Sequence, residues 1–332
     1  MKNPSDKDHT IAQFCEALKK TQNVLLTCHV LPEGDAAGSI LAMDSLLKRL
    51  GKKTWVIAQD IYPKNIAFMA ESRWKMVDQA PSPRPKWDAL VVADCATLER
   101  IGRVRGLIQP GTKIFNIDHH VTNTRFGDLN YIEPQASSSG EVVYRVFQHF
   151  KMPLTKKEAE FIYVALVTDT GSFRYSNTGA PTHQLAAELI RYGIDTEKIH
   201  EEIHSNFTLN KMYLYSHLFK NVATACNEQI AWATLKRKDL VRYGADYEDT
   251  EGFVDFLKYL QPVKIAFFAS ELPDQNAIRV SFRSRGHYDV NKIAGYFQGG
   301  GHKKSSGCLF QGITLKEAVV RVLERIQKDI HS

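Results

Sequence analysis

No CxxC pair occurs in this chain. Its five cysteines, Cys15, Cys28, Cys95, Cys226 and Cys308, are scattered and odd in number, which argues against a disulfide framework and against a thiolate zinc site. Reduced thiols in a cytoplasmic protein are the expectation, with burial the fate of most. Long apolar runs are missing too. Stretches such as DALVVADC at 88–95 fall far short of the roughly 20 residues that span a bilayer, so no membrane partner is expected. The opening MKNPSDKDHT lacks the apolar segment of a secretory signal. There is no internal repeat and no low-complexity tract. Surplus charge is small: a net +6 permits an anionic ligand but does not by itself imply duplex binding.

What is present has the form of two domains. A chain of 332 residues is long enough for two separate cores. The first part alternates strand and helix signals. NVLLTCH (23–29), KTWVIAQ (53–59), DALVVADC and GTKIFNIDHH (111–120) read as strands. AAGSILAMDSLLKRLG (36–51), SSSGEVVYRVFQHF (137–150) and TKKEAEFIYVALVTDTG (155–171) read as helices, with serines placed to cap one and Thr155/Glu158 a capping box for another. Alternation of this kind predicts an α/β fold, a parallel sheet with helices on both faces. Helical patterns continue to about residue 221. Beyond them, EQIAWATLK, KIAFFASEL and NAIRVSFRS are strand-like with hairpin-type spacing, and helices follow at VNKIAGYF and TLKEAVVRVLERIQ. The expected division is a catalytic domain over 1–200, a helical connector over 201–224 and a smaller mixed α+β domain over 225–332. His200, His204 and His217 on the connector are expected to be structural or solvated.

Four stretches of the first part place acids or histidines at the carboxyl end of an apolar run: His29/Glu33/Asp35, Asp94, Asp118/His119/His120 and Asp169. The carboxyl ends of parallel strands form one rim, where ligands bind. Any one stretch alone is weak evidence, since an Asp at a strand end is usually a turn former or cap. All four in this order are not. Carboxylate and imidazole without thiolate suit Mn²⁺ or Mg²⁺ better than structural zinc. Six such ligands suit two ions about 3.5–4 Å apart, an arrangement that attacks phosphorus centres.

At this point the residues resemble a known family. HVLPEGDAAGS, VVADCATLERIG, NIDHHVTNTRFGDLNYI and ALVTDTGSFRYSNT are similar to the four successive motifs of the DHH phosphoesterases. VSFRSRGHYDVNKIA and GGGHKKSSG resemble the DHH-associated C-terminal domain. The likeness covers almost the whole chain, and its wording is most similar to the nanoRNase/pAp-phosphatase (bifunctional oligoribonuclease) group. The resemblance implies two Mn²⁺ ions, Mg²⁺ being the alternative. One would be held by His29, Glu33, Asp94 and Asp169, the other by Asp35, Asp94, His119 and Asp169. Asp118 would orient a histidine, and His120 would stand near the scissile phosphate. The family usually has aspartate where this chain has Glu33; the extra methylene implies that one ion is held differently. Ser305 and Ser306 replace alanines common after the GGGH motif.

In the second part, Arg283 and Arg285 flank Ser284 at alternate positions of a strand candidate, a spacing that faces two guanidinium groups the same way. Gly300, Gly301 and His302 follow in a glycine-rich run that offers backbone N–H groups, beside Lys303 and Lys304. These are the candidate substrate contacts. The function that the resemblance implies is hydrolysis of single-stranded RNA of two to five nucleotides and dephosphorylation of pAp, with a homodimer as the expected assembly. Alternatives are a cyclic di-AMP or pApA phosphodiesterase acting through the same site, and a catalytically silent nucleotide-binding protein.

Overall fold

The structure, a computed structural model, describes residues 8–69, 73–204, 207–272 and 276–330. The chain divides into two compact units, Met1–Asn206 and Phe207–Ser332.

In the first unit the elements run α1 (Ile11–Lys19), β1 (Asn23–Thr27), α2 (Gly34–Arg49), β2 (Lys53–Ala58), β3 (Trp74–Met76), β4 (Ala89–Ala93), β5 (Lys113–Asp118) and β6 (Leu129–Ile132). They continue with α3 (Ser139–His149), α4 (Lys156–Asp169), α5 (Ala180–Ile190) and α6 (Thr196–His204). The strands form one parallel sheet in the order β3-β2-β1-β4-β5-β6. Their side chains alternate across it as a two-residue period demands. Val24 and Leu26 of β1 and Ala89, Val91 and Ala93 of β4 enter a core shared with α1 to α6. Leu25, Leu90 and Val92 point to the other face, where Trp87 and a 3-10 stretch, Leu98–Leu107, cover them. That second face thus carries 3-10 turns rather than full helices. The Thr155/Glu158 capping box forms, and Ser138 caps α3.

The strand order reverses between β1 and β4. A crevice opens at such a switch point, because the connections on its two sides leave in opposite directions. His29, Asp94 and Asp118 stand at the carboxyl ends of β1, β4 and β5, on the rim of that crevice.

The second unit comprises α7 (Leu209–Lys220), β7 (Ala223–Ala225), β8 (Ile230–Leu235), α8 (Arg237–Tyr243), α9 (Phe253–Lys258), β9 (Ile265–Glu271) and β10 (Ala277–Ser284). It closes with α10 (Val290–Tyr296), β11 (Gly300–His302), β12 (Ser305–Gln311) and α11 (Leu315–Ile330). Its sheet runs β11-β12-β10-β9-β8-β7. β8 and β9 pair in parallel, joined by a crossover through α8 and α9, where hairpin spacing had been expected; the other pairs are antiparallel. Within 201–224 the described residues include the end of α6, all of α7 and the start of β7. Of these, α7 packs Leu214, Tyr215 and Leu218 into the core of the second unit. Among the described residues no helix is long and apolar enough to cross a membrane.

Candidate metal centre

Three helices and three strand ends converge on the crevice, and their meeting depends on residues without side-chain bulk. A Cβ at Gly38 would lie 2.3 Å from the Phe161 carbonyl oxygen, and one at Gly140 would lie 2.4 Å from the Ala165 Cβ. The α2–α3–α4 contact is therefore closed to any larger residue at these positions. It brings Asp35 on the first turn of α2, the N-terminus of α3 and Asp169 at the end of α4 to one place.

Asp35 is fully buried and anchored on both oxygens. It accepts hydrogen bonds from the Ser139 N–H at 2.8 Å, the Gly140 N–H at 2.9 Å and the Ser39 hydroxyl at 3.1 Å. The positive end of the α3 dipole favours a carboxylate there. Asp94 follows β4 at φ 53°, a left-handed conformation that costs a non-glycine residue roughly 1–2 kcal/mol. It accepts from the Ser139 hydroxyl at 3.0 Å and lies 3.4 Å from His29 Nε2. His29 in turn is oriented by Nδ1 donating to the Val30 carbonyl at 2.7 Å.

The DHH triplet divides its work. Asp118 is buried and receives the His119 N–H at 2.8 Å, His120 Nδ1 at 2.7 Å and the Asn123 amide at 2.6 Å. Three donors thus share its two oxygens. His119 is fixed by Nδ1 donating to the Ala136 carbonyl at 3.2 Å. Its Nε2 aims among three carboxylates, 3.7 Å from Asp35, 3.8 Å from Asp94 and 3.7 Å from Asp169. Those separations are too long for hydrogen bonds. They match groups arranged around a shared cation. Asp35, His119 and Asp169 place one ligand atom each within 4.8 Å of one another, as do Asp94, Asp118, His119 and His120.

The electrostatics agree. Burial, then the Asp94 charge, push Asp35 well above the usual carboxylate range. Burial pushes Asp169 up to about 7, with Asp94 and Glu33 adding to it against His119. Asp94 goes the other way: despite burial, the hydrogen bond with His29 and the charges of His120, His29 and His119 hold it well below that range. Against burial, Asp169, Asp35 and Asp94 push His119 up to about 9, and Asp118 raises His120. A bound cation would neutralise carboxylates crowded this closely, and hard oxygen donors with imidazole suit a divalent ion of the Mn²⁺/Mg²⁺ type. The donor set fits.

Glu33 differs from these buried groups in its exposure. It is the exposed N-cap residue of α2, makes no capping hydrogen bond, and reaches the centre through its charge on Asp169. Ser139, Asn123 and Asn177 do more than their sequence positions suggest. Asn123 ties Asp118 to Asn116 and the Cys95 carbonyl. Asn177 donates to Asp169 at 3.0 Å and to the Ser137 carbonyl at 2.9 Å, so the DTGSFRYSNT stretch folds back to hold its own aspartate. The sequence signals for these three were a serine cluster ahead of a helix and two asparagines inside motif stretches.

In the second unit the candidate contacts have varied surroundings. Arg283 donates through Nε to Asp255 at 3.0 Å, so its charge is already matched. Ser284 is buried and donates to the Tyr288 carbonyl at 2.9 Å, which gives it a packing role. Arg285 is exposed and rests on the Lys258 and Leu260 carbonyls at 3.4 and 3.3 Å. The GGGH run is a strand: β11 pairs Gly300, Gly301 and His302 with Gly307, Ser306 and Ser305. Gly301, at φ 141°, has no room for a Cβ, which would lie 2.6 Å from the Ser305 carbonyl oxygen. Lys304 donates to the Tyr288 carbonyl at 2.9 Å and to that of Gly286.

Comparison with known proteins gives a consistent picture. The family model described as DHH family, N-terminal domain, matches residues 23–166, and the DHHA1 domain matches 227–331. The chain is 29% identical over 316 residues to the bifunctional oligoribonuclease and PAP phosphatase NrnA of Thermus thermophilus, covering 95% of this chain and 93% of that protein. It is 28% identical to the protein of the same name from Bacillus subtilis, covering 92% and 95%. Among solved structures, an exopolyphosphatase-related protein from Bacteroides fragilis superposes with a TM-score of 0.87 at 26% identity, covering 96% of this chain and 95% of that one.

Proposed function

The chain belongs to the DHH family, with a DHHA1 domain after the DHH domain, and from that premise we propose that it is a metal-dependent phosphoesterase acting on short oligoribonucleotides and on pAp. One observation carries the reading: Asp35, Asp94 and Asp169 surround His119 Nε2 at 3.7–3.8 Å, a buried anionic cluster built for divalent cations. Its relatives of similar length are named for these two activities.

We assign two ions, Mn²⁺ by preference, to this cluster. His29, Asp94 and Asp169 would hold one, with Glu33 at its rim; Asp35, Asp94, His119 and Asp169 would hold the other. When bound, such ions acidify a water and neutralise charge on the phosphate. The chain's own residues do the rest. His120 is held at Nδ1 by Asp118, whose charge and hydrogen bond raise its pKa against burial; this favours the protonated imidazole, the form that would give a proton to the departing oxygen. Ser139 fixes Asp35 and Asp94 together, and Asn177 fixes Asp169, so the ligands keep their spacing through turnover. The second unit is assigned to nucleotide recognition, through Arg285, His302 and the Gly300–Gly301 strand, with Arg283 exchanging Asp255 for phosphate. A homodimer in the cytoplasm, where the free thiols stay reduced, completes the reading.

The test is an Mn²⁺ activity panel of pAp, RNA of two to ten nucleotides, pApA and cyclic di-AMP. The last two are included because a Bacillus subtilis cyclic-di-AMP phosphodiesterase, GdpP, is 24% identical over 94% of this chain and 49% of its own length. Release of mononucleotide from RNA dimers and phosphate from pAp, both lost in Asp118→Ala and His119→Ala, is expected. No product from either substrate would refute the reading.

A further inference from the structure

Tyr296, the last residue of α10, is 69% exposed. Beside it α11 presents Arg321, Arg325 and Lys328, spaced i, i+4 and i+7 on one helix face. With Phe297 and Glu324 they enclose a groove of about 270 Å³. The ring is fixed on two sides: the Arg325 guanidinium carbon lies 5.3 Å from its centroid, and Phe297 meets it edge-on at 5.0 Å. The rest of its surface faces solvent.

The charges are arranged unevenly. Arg325 is paired with Asp329 at 2.9 Å, and its Nε is buried with no hydrogen-bond partner among the described residues. Arg321 and Lys328 have no ion pair among the described residues, and Glu324 is the one acid lining the groove. The stripe from Arg321 to Lys328 spans about 10 Å of helix. A held aromatic ring beside a row of cations is the combination that binds single-stranded nucleic acid: bases stack on the ring, and phosphates follow the cations. The groove also joins the recognition strand directly, since Tyr296 and Phe297 lead through two residues, Gln298 and Gly299, into β11.

We propose that this groove is an accessory site for one nucleotide of a single-stranded RNA, its base stacked on Tyr296 and its phosphates on Arg321 and Lys328. The inference rests on the reading of the protein as an oligonucleotide phosphoesterase and deepens it. It gives longer strands an anchor that a mononucleotide such as pAp does not use.

The experiment is fluorescence anisotropy of an end-labelled RNA of six adenosines on the full-length protein in EDTA, with Mn²⁺-supported pAp hydrolysis measured in parallel. Tyr296→Ala should weaken RNA binding about 5- to 150-fold, the range expected for loss of one base–aromatic stack. Tyr296→Phe should bind as the wild type does. Arg321→Gln combined with Lys328→Gln should lower the slope of log affinity against log salt by about 1.4, as for two lost single-strand phosphate contacts. pAp hydrolysis should be unchanged in every variant. The proposal is overturned if the wild type does not bind the RNA. It is also overturned if Tyr296→Ala binds within twofold of wild type, if Phe fails as badly as Ala, or if pAp hydrolysis falls in step with RNA binding. Failure of the wild type to hydrolyse pAp and RNA would instead refute the catalytic reading and leave the binding result standing on its own.

Discussion

Gly140→Ala should damage the metal centre from a position that bears no functional group. Gly140 is the second residue of α3, and its N–H holds Asp35 at 2.9 Å. A methyl there would sit 2.4 Å from the Ala165 Cβ of α4, whereas methyl carbons in contact need about 3.5–4.0 Å. The N-terminus of α3 and the middle of α4 must therefore part by about 1 Å. Overpacking of this kind costs about 1–3 kcal/mol, or roughly 2–12 °C in the melting temperature of a domain this size. The same displacement draws the α3 N–H groups that hold Asp35 away from α4 and Asp169, and a shift of about 1 Å in reacting geometry is worth on the order of 100-fold in rate. Activity should thus fall by far more than the stability loss explains. The nearest obstacle is a single methyl; the next atoms, the Ile162 carbonyl oxygen and the Ser138 hydroxyl oxygen, are at 3.5 Å. Ala165→Gly should therefore restore room. Alone it costs about 0.5–1 kcal/mol as a helix glycine, and combined with Gly140→Ala it should recover kcat/KM and metal affinity. The assay is a double-mutant cycle on melting temperature, Mn²⁺ titration and RNA-dimer hydrolysis. Strictly additive losses, or wild-type activity in Gly140→Ala, would refute the idea that this contact sets the ligand spacing.

Three further outcomes follow from the same geometry. Metal should stabilise the protein by about 2.7 kcal/mol at a hundredfold excess over Kd, and the melting-temperature gap between loaded and metal-free protein should widen from pH 6 to pH 9. The sign follows from groups whose folded pKa is raised. Asp169, at about 7, and His119, at about 9, bind protons more tightly folded than unfolded, so metal-free stability falls as pH rises through those values; a gap that narrows with pH would contradict this. Asp118→Asn should leave metal binding nearly intact but cost about 10²–10⁴ in kcat by releasing His120, and equal loss of metal affinity would make Asp118 a ligand instead. Glu33→Asp should change activity less than tenfold, since the exposed Glu33 carboxylate acts on the centre through its field, and a larger change or a switch of preferred metal would place it on an ion.

Much of the centre was legible because its chemistry is written as residue types at strand ends. His29, Asp94 and Asp118 follow runs whose continuous apolar character announces buried parallel strands, and the rim rule places them together. β3 and β6 are not legible in the sequence, because three or four residues carry no periodicity to read. The amphipathic α1, with Phe14, Cys15 and Leu18 inward, lies next to a polar N-terminus that drew attention only as a signal that was missing. The parallel β8–β9 pairing was hidden because strand spacing does not reveal direction. Arg283 looked like a free phosphate ligand because its partner Asp255 sits 28 residues away, and only packing brings them together.

The glycines separate the two kinds of information most clearly. In the sequence, Gly38 reads as room for close helix packing, Gly140 carries no signal of its own, and Gly300–Gly301 read as a phosphate cradle or a turn. The structure assigns Gly38 and Gly140 to the α2–α3–α4 contact, where backbone and methyl groups of α4 leave no space for a Cβ, and assigns Gly301 to the β11–β12 hairpin. A metal centre needs ligand atoms fixed to a few tenths of an ångström, and ligands on separate helices inherit their spacing from the helix contact. The carboxylates therefore determine which ions the centre can take, and the residues lacking side chains determine whether those carboxylates meet. A substitution at Gly38 would reach the Phe161 backbone oxygen, which has no side chain to trim, so unlike Gly140→Ala it should have no partner mutation that rescues it.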